Sequence, residues 1–252
     1  DSDPDALTKY RAYTATRDKI KAELTTLRER VTHFNLPYLS LPADTSKDVA
    51  LQVFINMNTN SKPLSLYDII VAEVENVAEK SLHALEASLT DKCPTAGRYG
   101  NVSDLILSTS ALLQEKLPNT RGMIEMDKKE LLANWPKLER GLERMAGFLE
   151  SQRIFDATRL PTNAVLAVIA AAYEQIPDDG DFLAKAEKLL KRYLWSSFFS
   201  DRYENSAASR AYTDFKALKN LLKNRNFSDA ELQTVPALNR AEYPPADLDP
   251  PI

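Results

Sequence analysis

Only 6 of the 252 residues are glycine, whereas 14 are proline. Glycine supplies the positive φ angles on which tight hairpin turns depend, so a chain this poor in glycine does not favour a many-stranded β-sandwich. Proline interrupts helices but is tolerated in the segments between them. The composition therefore favours helices joined by proline-marked loops.

Apolar residues recur at helical spacing in several segments of the chain. Two stripes have 4-3-4 spacing: Ile20, Leu24, Leu27 and Val31 in a first helix from about 5 to 33, and Leu138, Leu142, Met145 and Leu149. Further helices are predicted at about 45–54, 65–89, 101–117, 162–175, 181–199 and 206–224, with a short one from 228. Another helix is predicted to begin at Asp127, and Pro136 is expected to kink or restart it. The apolar run from Ala164 to Ala172 is too short to cross a bilayer and predicts a buried helix.

These patterns predict an all-α protein. We expect an irregular multi-helix domain of about seven to nine helices over residues 1–235, followed by a proline-rich extended tail over 236–252. A short segment near residues 36–41, with a proline close to each end, is the only minor extended piece that we expect. The chain also begins and ends abruptly, which suggests one region of a longer protein.

The charge balance excludes strong, unspecific attraction to polyanions. The formal net charge is −4, from 32 basic and 36 acidic residues, so any contact with nucleic acid would need a local basic patch. The first residues lack a basic start and an apolar run, so we expect no signal peptide and no membrane partner. Cys93 is the only cysteine, which excludes an intrachain disulfide and fits a cytoplasmic location.

No complete catalytic pattern is visible in the sequence. His33 and His83 are the only histidines and are far apart in the chain, and Cys93 has no obvious base beside it. No glycine-rich loop precedes a predicted helix, so neither a phosphate-binding loop nor a dinucleotide fingerprint is present. We therefore expect no catalytic residue, no metal site and no cofactor in this chain.

A polar cluster lies between two predicted helices, and we call it the polar joint. Its residues are Asn56, Asn58, Asn60, Lys62, Ser65 and Asp68. Asparagine closes turns with its own side chain, and Ser65 followed by Asp68 is a variant capping box that starts a helix. The structural interpretation is a helix–turn–helix joint. The functional alternative is a surface that contacts a partner domain, a nucleotide or DNA.

The segment 181–226 is locally basic. It contains ten Lys and Arg against five Asp and Glu, a net +5, which leaves −9 for the rest of the chain. The candidate DNA-binding residues are Arg202, Arg210, Lys216, Lys219 and Lys223, of which the three lysines share one helical face. The aromatic residues Trp195, Phe198, Phe199 and Tyr203 lie between the basic runs and suit base contacts. The alternative is that the aromatics belong to the core and that the lysines only solubilise the surface.

Three stretches together resemble a known family. They run from Val49 to Asp68, from Arg159 to Asn163 and from Leu190 to Tyr203, and the last is followed by Ser206, Arg210 and Asp214. Their order is similar to the helical region of the GmrSD-type restriction endonucleases. Members of that family typically join an amino-terminal ParB/sulfiredoxin-like domain, marked by an Asp-Gly-Gln-Gln-Arg motif, to this helical region, and many add a His-rich nuclease module.

The resemblance implies a role in bacterial defence against foreign DNA. This chain has neither the Asp-Gly-Gln-Gln-Arg motif nor a His-centred nuclease motif, so no catalytic or nucleotide-handling residue is carried over. We expect a non-catalytic region that positions the flanking nuclease domains of a longer parent, which would itself use a nucleotide and a divalent metal. The alternative is a protein-interaction or dimerisation scaffold with no nucleic-acid role, and a homodimer remains open.

Overall fold

The computed structural model describes residues 4–34, 40–42, 44–45, 49–50, 53, 65–78, 80–225 and 227–239. The chain forms two compact units, Asp1–Ser46 and Lys47–Ile252, whereas the sequence suggested one domain over residues 1–235. Among the described residues there are eleven α-helices and no strand. Eight of these helices have nine residues or more, which confirms the predicted all-α class and helix number.

The first unit contains α1 (Pro4–Thr32), whose bounds agree closely with the prediction. The stripe of Ile20, Leu24, Leu27 and Val31 lies on one face, but all four side chains are exposed. Among residues 8–34, 40–42 and 44–45, none is buried. The stripe therefore contributes nothing to the hydrophobic core.

The second unit contains the other ten described α-helices. They are α2 (Leu66–Val77), α3 (Leu82–Lys92), α4 (Val102–Leu113), α5 (Thr120–Ile124), α6 (Lys128–Ala133), α7 (Trp135–Ser151), α8 (Ala164–Ala172), α9 (Asp181–Phe198), α10 (Ala207–Asn224) and α11 (Asp229–Leu232). Short 3-10 helices lie at Ala96–Arg98, Ala157–Arg159, Tyr173–Gln175, Asp201–Tyr203 and Pro236–Leu238. No helix in the described part of the chain has both the length and the apolar character needed to cross a membrane.

Helix α8 lies at the centre of this unit and packs against α4, α7 and α10. Every residue from Val165 to Ala172 is buried, as the apolar run predicts. Five of its nine residues are alanine, and such small side chains let neighbouring helices approach closely. At the crossing with α7, a Cβ added to Gly141 would lie only 2.4 Å from the carbonyl oxygen of Ala170.

The predicted stripe of α7 faces this core. Leu138, Leu142, Met145 and Leu149 are each at most 1% exposed. Pro136 stands in the first turn of the helix, where proline's missing N–H costs no hydrogen bond. Proline therefore starts α7 rather than kinking it.

Two predicted helices end earlier than expected. The helix predicted over 65–89 is two helices, because α2 ends at Val77 and Ala78 has extended backbone angles of −150° and 145°. The helix predicted to reach 117 ends at Leu113, and Glu115 takes a positive φ of 54°. The apolar pattern continues across both breaks, so periodicity did not reveal them.

The start of the predicted tail belongs to the folded unit. Pro236–Leu238 forms a 3-10 helix that packs against α9 and α10, and both Ala237 and Leu238 are buried. Residues 240–252 lie outside the described part of the chain, as do residues 35–39 of the predicted extended segment and most of the helix predicted at about 45–54.

Candidate nucleic-acid interface

Helix α10 has an apolar inner face and a basic outer face. Its inner residues Ala211, Phe215, Leu218 and Leu222 are nearly inaccessible. Because they recur every three or four residues, the lysines at intermediate positions point outward. We call Lys216, Lys219 and Lys223 the lysine face; Lys216 and Lys223 are exposed, and Lys219 is partly buried.

One carboxylate lies among the three lysines. Glu115, just beyond the end of α4, pairs with Lys219 over 3.0 Å between Oε1 and Nζ. The hydrogen bond from Lys219 lowers the pKa of Glu115, and the charges of Lys216 and Lys223 act in the same direction. All three ammonium groups are therefore close enough to act on a single carboxylate, and the cluster carries a net charge of +2 from three lysines and one glutamate.

Arg202 does not belong to this surface. Its side chain is 4% exposed and pairs with Asp214, which is 0% exposed. Nε donates to Oδ2 over 3.1 Å and Nη2 donates to Oδ1 over 2.8 Å. This buried ion pair removes Arg202 from the predicted phosphate-binding face, because its guanidinium is already used inside the protein.

Two tyrosines complete this buried network. The Tyr203 hydroxyl donates to Asp214 Oδ2 over 2.7 Å and lies 2.5 Å from the Tyr193 hydroxyl. Burial raises the pKa of Asp214, whereas the hydrogen bonds from Arg202 and Tyr203 oppose that rise. Burial also raises the pKa of both tyrosines. The network joins the 3-10 helix Asp201–Tyr203 to α9 and α10 and is structural.

Arg210 also makes structural hydrogen bonds, to the 3-10 helix Asp201–Tyr203. Its Nη1 donates to the carbonyl oxygens of Asp201 and Arg202 over 3.1 and 2.7 Å. Such bonds satisfy carbonyl groups of the 3-10 helix Asp201–Tyr203. Of the five residues predicted to contact DNA, the structure thus brings the three lysines together on one face and gives both arginines internal partners.

The aromatic residues between the basic runs form a small cluster at the end of α9. The Trp195 ring stacks on Phe199 and meets Phe198 edge-on, with ring centroids 5.8 Å apart in both pairs. Tyr203 is buried, Trp195 and Phe198 are half-buried, and only Phe199 is exposed. The packing favours the core interpretation for Tyr203, which belongs to the hydrophobic core, and for Phe198, which packs against it.

The described part of the polar joint is a helix cap. Ser65 Oγ accepts from the Asp68 backbone N–H over 3.2 Å, and the Ser65 N–H donates to Asp68 Oδ2 over 2.9 Å. This reciprocal pair is the predicted capping box at the start of α2. Asn56, Asn58, Asn60 and Lys62 lie outside the described residues, so the partner-surface interpretation of the joint stays a prediction.

The candidate reactive side chains have ordinary surroundings. Cys93 is buried at the end of α3, with its Sγ 3.5 Å from the Thr95 hydroxyl. The His83 ring packs edge-on against Tyr67, 5.6 Å between centroids. Across the residues that the structure describes, no three His, Cys, Asp or Glu side chains group as metal ligands would.

A groove between α4, α8 and α10 has a volume of about 430 Å³. Alanines from α8 and α10 form much of its wall, and Asn101, Asp104 and Thr162 add polar groups. No Lys or Arg lines it, and the Asp104 carboxylate would repel an anion. The groove therefore does not suit phosphate, unlike the lysine face.

Neither a protein-family model nor a curated protein matches this chain.

Proposed function

We propose that this chain is a non-catalytic helical region of a prokaryotic DNA-restriction protein and that its lysine face contacts the DNA backbone. The single observation behind the contact is that Lys216, Lys219 and Lys223 lie together on the outer side of α10. The restriction context rests on the GmrSD-type resemblance. In that context the helical region positions the flanking nuclease domains of a longer parent, which supply the catalytic residues and bind nucleotide and metal.

The chemistry of the face suits phosphates rather than bases. Lysine presents a compact charge on a flexible stem and gives no planar, bidentate fork for reading a base edge. Contacts of this kind are independent of sequence. The remainder of the chain carries −9, so it repels the polyanion and favours approach from the basic side.

The carboxylate of Glu115 limits the strength of this contact. Since Glu115 already pairs with Lys219, we assign most of the phosphate binding to Lys216 and Lys223. Two phosphate contacts correspond to a slope of about 1.8 when the logarithm of the duplex-DNA affinity is plotted against the logarithm of the salt concentration. The proposal is therefore weak binding at low salt that disappears as salt rises.

Fluorescence anisotropy with a labelled DNA duplex tests the contact. We expect saturable binding at low salt, similar affinity for unrelated sequences, and the shallow salt dependence described above. Absence of binding to duplex and to single strands at low salt would remove DNA contact from the proposed function.

A protein-interaction scaffold is the second candidate function. The observation that favours it is the exposed apolar stripe of α1, which lies in a different unit from the lysine face. The two candidate functions predict different experimental results. DNA binding depends on salt and on basic residues, whereas association through α1 depends on apolar residues.

A further inference from the structure

The exposed residues of α1 follow a heptad repeat, whose last member, Phe34, lies two residues beyond the end of the helix. From Tyr10 to Phe34 the spacing alternates strictly between three and four residues. The a positions are Tyr10, Arg17, Leu24 and Val31, and the d positions are Tyr13, Ile20, Leu27 and Phe34. A repeat of 3.5 residues keeps one narrow seam turned toward a partner helix and is the pattern of a left-handed coiled coil. We call these eight residues the α1 seam.

The seven apolar side chains of the α1 seam are between 55% and 70% exposed. Within α1 the row runs from Tyr10 to Val31 and is therefore roughly 33 Å long. An exposed apolar row of this length is unfavourable in water and marks a surface for another protein. The a/d spacing makes that surface the narrow seam of a coiled coil rather than the broader face that packs on a globular core.

A second copy of this chain supplies a matching seam and matching charges. Glu23 occupies a g position and Arg28 the following e position, and both side chains are exposed. In a parallel pair, Glu23 of each helix faces Arg28 of the other, which gives two attractive pairs related by symmetry. In an antiparallel pair, e positions face e positions and g positions face g positions, so the repulsion of Lys21 and Arg28 would offset the attraction of Glu23 and Arg30.

Arg17 restricts the assembly to two strands. Its guanidinium turns sideways to Asp18, with Nε and Nη2 at 3.0 and 2.9 Å from Oδ1. A charged residue at one a position fixes the register at a cost in stability. In a two-stranded coiled coil, the two Arg17 side chains lie at the edge of the seam and can keep this solvated geometry. In a three- or four-stranded coiled coil, the Arg17 side chains would surround a closed axis and repel one another.

We propose that α1 forms a parallel, in-register, two-stranded coiled coil with α1 of a second copy of this chain. This surface is independent of the lysine face, so the proposal does not depend on DNA binding.

Analytical ultracentrifugation of the whole chain tests the assembly. We expect a dimer whose population rises with concentration, and a monomer for Leu24→Glu/Leu27→Glu at the same concentrations. The matched control is Ala22→Glu/Thr25→Glu, which adds the same charges at positions outside the seam and should leave the dimer intact. Circular dichroism melts should show the second unit folded in all three proteins. A monomeric wild type, a trimer or tetramer, or a dimer that survives the seam variant would overturn the proposal.

Charge reversal tests the orientation. Glu23→Arg alone and Arg28→Glu alone should each weaken dimerisation about tenfold, because two exposed attractive pairs become repulsive. Mixing the two variants in equal amounts should restore wild-type affinity as a heterodimer, since opposite charges then face each other at both pairs. Failure of the mixture to recover affinity would exclude the parallel register.

Discussion

The guanidinium of Arg202 donates two hydrogen bonds to the carboxylate of Asp214, over 3.1 and 2.8 Å, and both side chains are buried. The two residues lie on the 3-10 helix Asp201–Tyr203 and on α10, so their pairing links these two elements. Because the opposite side of α10 carries the lysine face, this buried pair supports the surface from within without itself contacting a ligand.

Arg202→Leu should destabilise the protein strongly. Removing one partner of a buried ion pair leaves an uncompensated charge, which typically costs about 3–5 kcal/mol. Urea unfolding measures the effect. The control is Arg192→Leu, which breaks an exposed pair with Asp229 and should cost about 0–1 kcal/mol. Equal, small losses in both variants would show that the Arg202 pair is not buried.

The stability deficit of Arg202→Leu should shrink on acidification. Burial raises the pKa of the Asp214 carboxyl in the folded protein. The protonated carboxyl therefore stabilises the folded state fully below the unfolded-state pKa of about 3.9. This stabilisation is lost as the pH rises through the folded-state pKa. Loss of Arg202 removes an opposing hydrogen bond and moves the folded pKa higher. The variant should therefore approach the wild type as the pH falls from 7 toward 4. A pH-independent deficit in urea unfolding would contradict this account.

Two glycines of α7 should respond oppositely to alanine. A Cβ at Gly141 would meet the Ala170 carbonyl oxygen at 2.4 Å, whereas a Cβ at Gly147 would have no atom within 4 Å. Gly141→Ala should cost about 1–3 kcal/mol through overpacking. Gly147→Ala should gain about 0.5–1 kcal/mol, because alanine loses less backbone freedom in a helix. Thermal melts of both variants check the sign, and the same response at both sites would refute the close α7–α8 crossing.

Ser65→Ala should lose a functioning cap at the start of α2, at a cost of about 0.5–2 kcal/mol. The control is Ser81→Ala at the start of α3, where the serine side chain makes no capping hydrogen bond. Differential scanning calorimetry should therefore separate the two variants. Unchanged stability in Ser65→Ala would mean that the capping box contributes nothing in solution.

Local patterns predict the helices and the core well. The α7 stripe, the buried run of α8 and the capping box at Ser65 follow from residue spacing over a few positions, because helix periodicity and capping are local. The breaks after Val77 and Leu113 were missed. At both places apolar residues continue at helical spacing while the backbone leaves the helix, as the positive φ of Glu115 shows.

The candidate site depended on relationships that spacing cannot reveal. Glu115 and Lys219 are 104 residues apart, so the sequence shows three lysines on one face but not the carboxylate among them. Arg202 has the same charge as a surface arginine, and only the fold buries it against Asp214. The heptad repeat of α1, by contrast, is visible in the sequence, and the structure adds that its residues are exposed.

Glu115→Gln should strengthen DNA binding. Within the described part of the chain, Glu115 is the only carboxylate that pairs with a member of the lysine face. The substitution removes this pair and releases Lys219, so the salt slope should steepen by about 0.9, the value for one further phosphate contact. Glu75→Gln, an exposed glutamate of α2, makes the same change in net charge elsewhere. If both variants bind alike, overall charge rather than the lysine face controls the affinity.

Reversal of the two exposed lysines tests the central claim most directly. Lys216→Glu/Lys223→Glu is compared by fluorescence anisotropy at low salt with Lys80→Glu/Lys129→Glu, which reverses two exposed lysines that are not part of α10. Both variants change the net charge equally, and exposed charges contribute little to stability, so their melting temperatures should match. We predict that the α10 variant loses duplex binding while the control binds nearly as the wild type does. Equal binding by the two variants would contradict the assignment of DNA contact to the lysine face.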